Sequence, residues 1–172
     1  LNLSDVFATQ GKTLQGNESI GITEFIQGDL KYPVTNSSQL SYVITNNGTG
    51  KAVATGKASV TFLGNCDRCL RETKISVDLD FMREICSPEV DEPDTIEDQA
   101  DFMEGYYLNM ENLISNEILM NWPPKILCKD TCKGICKVCG RDLNTGECQC
   151  DTFVPDPRMA KIKDIFNANK EV

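Results

Sequence analysis

At 172 residues and 40% apolar side chains, the chain has material for one ordinary domain plus a small appendage. No segment approaches the roughly 18 consecutive apolar residues that a membrane span needs. It has no histidine, which excludes Ser-His-Asp and Cys-His nucleophile systems and every His-containing zinc site; nine cysteines remain. The net charge of −9 is local, because residues 84–104 carry nine acids and no Lys or Arg, leaving the rest of the chain neutral.

The opening LNLSDVFATQ lacks the basic start and apolar stretch of a signal peptide, so export is not expected. The first 35 residues are mixed, with a short strand over Gly21–Gln27. Leu40–Thr45 is β-branched and aromatic, Asn47-Gly48 signals a hairpin turn, and Lys51–Leu63 follows with Val60 and Phe62 on one face. After Cys66-Asp67-Arg68-Cys69, the residues Ile75, Val77, Leu79 and Phe81 alternate with Ser76, Asp78 and Asp80, a period of two that buries one face. These strands form an antiparallel meander whose last turn carries Cys66 and Cys69. The acidic stretch 84–104, interrupted by Pro88 and Pro93, reads as a self-repelling solvated loop, with a basic partner surface as its functional alternative. Asp91, Asp94 and Asp98 lack the spacing that would gather them around magnesium.

Asn109 is an N-cap for a helix whose stripe of Met110, Leu113, Ile114 and Ile118 covers the sheet, and Pro123-Pro124 ends it. Residues 128–150 hold six cysteines and almost no large apolar side chains, so burial alone cannot set their backbone. Asp156-Pro157 then caps a short amphipathic helix with Met159, Ile162, Ile165 and Phe166 at helical spacing. The expected fold class is α+β: an antiparallel sheet with one or two short helices and a zinc-ribbon-like C-terminal lobe. The expected layout is a β domain over residues 1–125, with its acidic loop at 84–104 and covering helix at about 109–121, a Cys-rich lobe over 126–151, and a tail over 152–172.

Eight cysteines fall into close pairs: Cys66/Cys69, Cys128/Cys132, Cys136/Cys139 and Cys148/Cys150. An all-thiolate zinc site needs four sulfurs at tetrahedral corners, which two short chelating pairs supply. Cys136-Lys137-Val138-Cys139-Gly140 has the form of a zinc knuckle, and the turn at Asn144-Thr145-Gly146 can bring Cys148 and Cys150 back to it. A second site joins Cys66 and Cys69 to Cys128 and Cys132; alternatively Cys128 and Cys132 complete the C-terminal cluster with Cys136 and Cys139. One or two structural zinc ions are expected. Disulfides would suit a secreted chain, and a redox CxxC would sit beside a βαβ unit, for which there is no sign. Cys86 stands apart and reads as a small buried apolar residue.

The run Cys66-Asp67-Arg68-Cys69-Leu70, the cluster from Cys128 to Cys139-Gly140, Leu143-Asn144, Cys148-Gln149-Cys150 and Asp156-Pro157-Arg158 together resemble the YceD family. The resemblance covers most of the chain and implies a role in accumulation of the large-subunit ribosomal RNA, in bacteria and in plastids; a cytoplasmic location is expected. The partner it implies is the large-subunit ribosomal RNA precursor or a ribosomal protein, with no membrane involved. From the residues themselves, the lobe 128–150 has a net charge of only +1, and each zinc with four thiolates adds −2. Direct RNA contact would therefore rest on Arg68, Arg71, Lys74 or Arg158, and a protein-mediated, non-enzymatic action is the preferred reading. A direct RNA-binding module, a metal-dependent nuclease and a thiol redox enzyme are the alternatives.

Overall fold

In the computed structural model, residues 1–90, 97 and 99–150 are described. They run α1 (Ser4–Ala8), β1 (Thr13–Ser19), β2 (Glu24–Gln27), β3 (Leu30–Ser37), β4 (Gln39–Gly48), β5 (Lys51–Asn65), β6 (Glu72–Cys86), β7 (Met103–Glu104), β8 (Tyr107–Leu108) and α2 (Met110–Met120).

The sheet is organised by the β5–β6 hairpin. All 15 residues of β5 pair antiparallel with β6, from Lys51↔Cys86 to Asn65↔Glu72. With that edge taken, the opposite edge of β5 is shared in tandem. Its first half pairs with β4, and Val60–Phe62 pair with β3. The six-stranded sheet therefore forks into a β4–β1 wing and a β3–β2 wing, and the chain crosses between them at Ser38, whose N–H donates to the Ser59 carbonyl.

The period-two pattern does what a half-buried strand requires. Val60, Phe62, Ile75, Val77, Leu79 and Phe81 are all buried, as are Ala52, Ala54 and Ile85 on the same face. Helix α2 covers that face with Met110, Leu113, Ile114 and Ile118. Its cap is the one expected: the Asn109 side chain accepts from the Asn112 N–H at 3.1 Å. Just past its end, Trp122 sits among Phe25, Tyr32 and Phe62 at ring-centroid distances of 4.6, 4.7 and 5.2 Å, which ties the helix to the β2–β3 wing.

Several local expectations are corrected. The hairpin turn falls at Thr49-Gly50, not Asn47-Gly48: β4 extends through Gly48 with a register shift there, and Gly50 takes the left-handed φ of +70°. The strand expected over Gly21–Gln27 begins only at Glu24, and α1, β1 and β3 were not foreseen in the mixed N-terminal region. The acidic stretch is not a loop throughout, since Glu84 belongs to β6 and Glu104 to β7. Toward its C-terminal end, the buried Gln99 amide brackets the Cys86 backbone, accepting from its N–H at 2.8 Å and donating to its carbonyl at 3.2 Å. Asp91, Asp94, Asp98, Arg158 and the C-terminal amphipathic helix lie outside the described residues.

Candidate metal centres

The long hairpin holds its tip, Cys66–Arg71, beside the segment that follows α2. The Asp67 N–H donates to the Ile126 carbonyl at 2.8 Å, and the Ile126 N–H returns to the Asp67 carboxylate at 2.7 Å. This two-way tie brings Cys128 and Cys132 onto the tip. Eight thiols gather into two groups, Cys66/Cys69/Cys128/Cys132 and Cys136/Cys139/Cys148/Cys150, within each of which all four sulfurs lie within 4.8 Å of one another. The alternative that combined Cys128 and Cys132 with Cys136 and Cys139 is not the arrangement found. Cys86 is buried and belongs to neither group.

Across the first group, Cys66 Sγ lies 3.8 Å from Cys132 Sγ, and Cys69 Sγ lies 3.5 Å from Cys128 Sγ. A disulfide needs about 2.05 Å. Four sulfurs held about 2.3 Å from a tetrahedral metal are about 3.8 Å apart along each edge, so the donor set has the size and chemistry of a thiolate metal site. Each group could hold one metal ion.

The two CxxC turns share one backbone pattern. In Cys66–Arg71 the Leu70 N–H donates to the Cys66 carbonyl and the Cys66 N–H to the Arg71 carbonyl, both at 2.8 Å. In Cys136–Arg141 the corresponding bonds, Gly140 to Cys136 and Cys136 to Arg141, measure 2.9 and 2.8 Å. The fifth residue is left-handed in both, with φ of +59° at Leu70 and +72° at Gly140. Both turns carry the sequence repeat C-x-x-C-x-R.

The electrostatics inside each group are split. Burial pushes the Cys66 thiol up, but backbone groups of Cys128, Cys69 and Arg68 outweigh it and hold the thiol down at about 6. Backbone groups of Cys139 and Val138 hold Cys136 at about 6 as well, and the Val138 N–H lies 3.4 Å from its sulfur. Cys128 is pushed up to about 12 by burial and then by the neighbouring thiols, while Cys150 is pushed up to about 12 first by Cys139 and then by burial. Four sulfurs this close cannot all ionise without a cation among them; some take the charge and the others keep their protons.

The two groups are also wired together. Asn144, in the turn that follows the isolated Ile135–Asp142 bridge, donates to the Cys132 sulfur at 3.4 Å and accepts from the Lys133 N–H at 2.9 Å. The Ile135 N–H donates to the Arg68 carbonyl at 3.1 Å, over Gly134 with its φ of +78°; a Cβ on Gly134 would lie 3.0 Å from that same oxygen. Of the cations expected to meet RNA, Arg68 donates to the Cys132 carbonyl at 2.8 Å, and Arg71 faces the Cys69 sulfur and pairs with Asp142 at 3.2 Å. Lys74 is exposed on β6. Sequence reasoning missed Asp67, Asn144 and Gly134 as the residues that set this geometry, because their partners are far away in the chain.

A β-sheet platform with a thiol-rich, metal-site lobe defines the class. Residues 54–166 match the family described as "Large ribosomal RNA subunit accumulation protein YceD". The chain belongs to the YceD family, whose name implies a role in accumulation of large-subunit ribosomal RNA. No curated protein and no solved structure matches the chain. Among the described residues, no helix is long and apolar enough to cross a membrane.

Proposed function

We propose that the chain is a non-enzymatic, zinc-stapled factor of cytoplasmic ribosome biogenesis. In this reading it supports accumulation or processing of large-subunit ribosomal RNA by binding a ribosomal protein or a precursor particle. The β body over 1–125 is the platform, the lobe over 126–151 is the stapled element, and the tail follows from 152. The observation that carries the metal reading is the sulfur spacing of 3.5 and 3.8 Å in a set of four thiols. Zinc suits an all-thiolate tetrahedral set, and four protein ligands leave none of the open position that a catalytic zinc keeps for water. Among the described residues, the small apolar cluster at the first group has three buried members, all cysteines, with Leu127, Cys128 and Ile135 packed against them, so apolar burial contributes little to the shape of the lobe. Protein-mediated action is favoured over direct RNA contact because Arg68 and Arg71 already serve the lobe and loaded thiolate sites add negative charge.

Elemental analysis of the untreated full chain tests the metal: two zinc ions per chain are expected, one after Cys66→Ser, and two after Cys86→Ala. A metal-free wild type with a rigid lobe would end the reading. Cosedimentation with large-subunit precursor particles tests the role. Binding to naked ribosomal RNA that falls steeply with salt would favour the direct RNA module instead, and magnesium-dependent cleavage of precursor RNA would favour a nuclease.

A further inference from the structure

A groove of about 470 Å³ runs between β6 and the C-terminal half of α2, at the opposite end of the long hairpin from the first thiol group. β6 has β5 as its only strand partner among the described residues, so this side of the sheet is not covered by another strand. Three large apolar residues border the groove and remain exposed, Met82 at 72%, Leu119 at 54% and Met120 at 70%, with Met82 at an outward position of β6 beside the buried Phe81. Their exposure is not forced by the pattern of the core, since Leu113, Ile114 and Ile118 already cover the sheet.

The charge on the lining is one-sided. It holds Glu84, Asp101 and Glu117 against Arg83, and Arg83 is engaged by the buried Glu117. Glu84 and Asp101 stand exposed at the rim, within the stretch 84–104 that contains no Lys or Arg. Such a rim repels phosphate and attracts cations, while methionines adapt to differently shaped apolar partners.

We infer that this groove docks a basic amphipathic helix of a partner protein, with the apolar face on Met82, Leu119 and Met120 and its Lys or Arg residues toward Glu84 and Asp101. The inference rests on the protein-mediated reading above and gives that reading its contact surface. Helix-in-groove recognition places anchors at i, i+3, i+4 and i+7, which matches a short cleft beside one helix.

The test uses the full metal-loaded chain and a fluorescein-labelled Lys/Leu peptide of about 15 residues with leucines at helical spacing, read by fluorescence anisotropy at roughly 0.15 M salt. The expected result is saturable binding, at least about tenfold tighter than for a scrambled peptide of equal composition. Met82→Ser with Met120→Ser, and separately Glu84→Lys with Asp101→Lys, should each weaken binding by about tenfold or more, with two metal ions still bound; these side chains are exposed, so folding is spared. Equal binding by the scrambled peptide, or unchanged binding by either variant, overturns the inference. Displacement of the probe by a peptide of residues 156–170 would assign the groove to the chain's own tail and also overturn it. If wild type cosediments with precursor particles and the groove variants do so equally well, the inference fails and the proposed function stands. If wild type does not cosediment at all, it is the proposed function that fails.

Discussion

Gly134 offers a measurement in which three glycines separate backbone conformation from contact. Gly134→Ala places a side chain at φ +78° and sets its Cβ 3.0 Å from the Arg68 carbonyl, which accepts the Ile135 N–H. Gly140→Ala meets the same left-handed conformation at φ +72° but nothing within 4 Å, and Gly146→Ala meets neither. A non-glycine residue in this region costs about 1–2 kcal/mol. Alanine returns about 0.4–1 kcal/mol by restricting the unfolded chain. Gly140→Ala should therefore destabilise the lobe by roughly 1 kcal/mol. Gly134→Ala adds the displacement of the Ile135–Arg68 hydrogen bond, about another 1 kcal/mol, for roughly 2 kcal/mol in total. Under the proposal that metal binding is coupled to the shape of the lobe, this corresponds in chelator competition to roughly 30-fold weaker metal retention for Gly134→Ala and about fivefold for Gly140→Ala. Gly146→Ala, with no strain or contact to offset the gain from restricting the unfolded chain, should be more stable than wild type by about 0.4–1 kcal/mol. Amide exchange of Ile135 gives a metal-independent readout and should accelerate only in Gly134→Ala. If Gly134→Ala retains metal as well as Gly146→Ala, or no worse than Gly140→Ala, the claim that this close approach joins the two thiol groups is refuted.

Other outcomes follow from the same geometry. Cys66 and Cys136 are held at about 6, below the ordinary thiol value of 9.0, so the folded site favours their thiolates. That contribution is complete above the ordinary value of 9.0 and shrinks steadily as the pH falls from there to about 6, so the stability of the metal-free folded lobe should decline across that window; an unfolding free energy unchanged between pH 9 and pH 6 would contradict this. Calorimetry at pH 8 in buffers of different ionisation enthalpy should show fewer than four protons released per metal, because one thiol in each group, Cys66 in the first and Cys136 in the second, is already largely ionised; four per metal would refute the split. Asp142→Ala should destabilise the lobe more than Arg71→Ala, as the Asp142 carboxylate also accepts from the Asn144 N–H at 2.8 Å and its side-chain amide at 2.7 Å. The double-mutant coupling between Arg71 and Asp142 should stay below about 1 kcal/mol, since Arg71 is half-exposed; equal single-mutant effects in thermal unfolding would contradict the role given to Asn144.

Much of this protein was readable from local pattern. The alternation from Ile75 to Phe81 defined a one-sided strand because side chains in extended backbone alternate faces, and the Asn109 cap and Pro123-Pro124 bounded α2 through interactions spanning only a few residues. The four close cysteine pairs were likewise visible, since short chelating spacings make neighbouring sulfurs converge, but how the pairs combine into sets of four stayed open between two arrangements. The forked sheet was not, because β3 and β4 sharing one edge of β5 is a choice among non-local pairings with no local signature. Nor were the inward aims of Arg68 and Arg71, which depend on Cys132, Cys69 and Asp142 arriving from distant parts of the chain. Residue spacing thus determined which groups the protein owns and which neighbours they keep. Only tertiary structure, by bringing together segments separated by 59 or 66 residues, decided which sulfurs face one another and which charges are already taken.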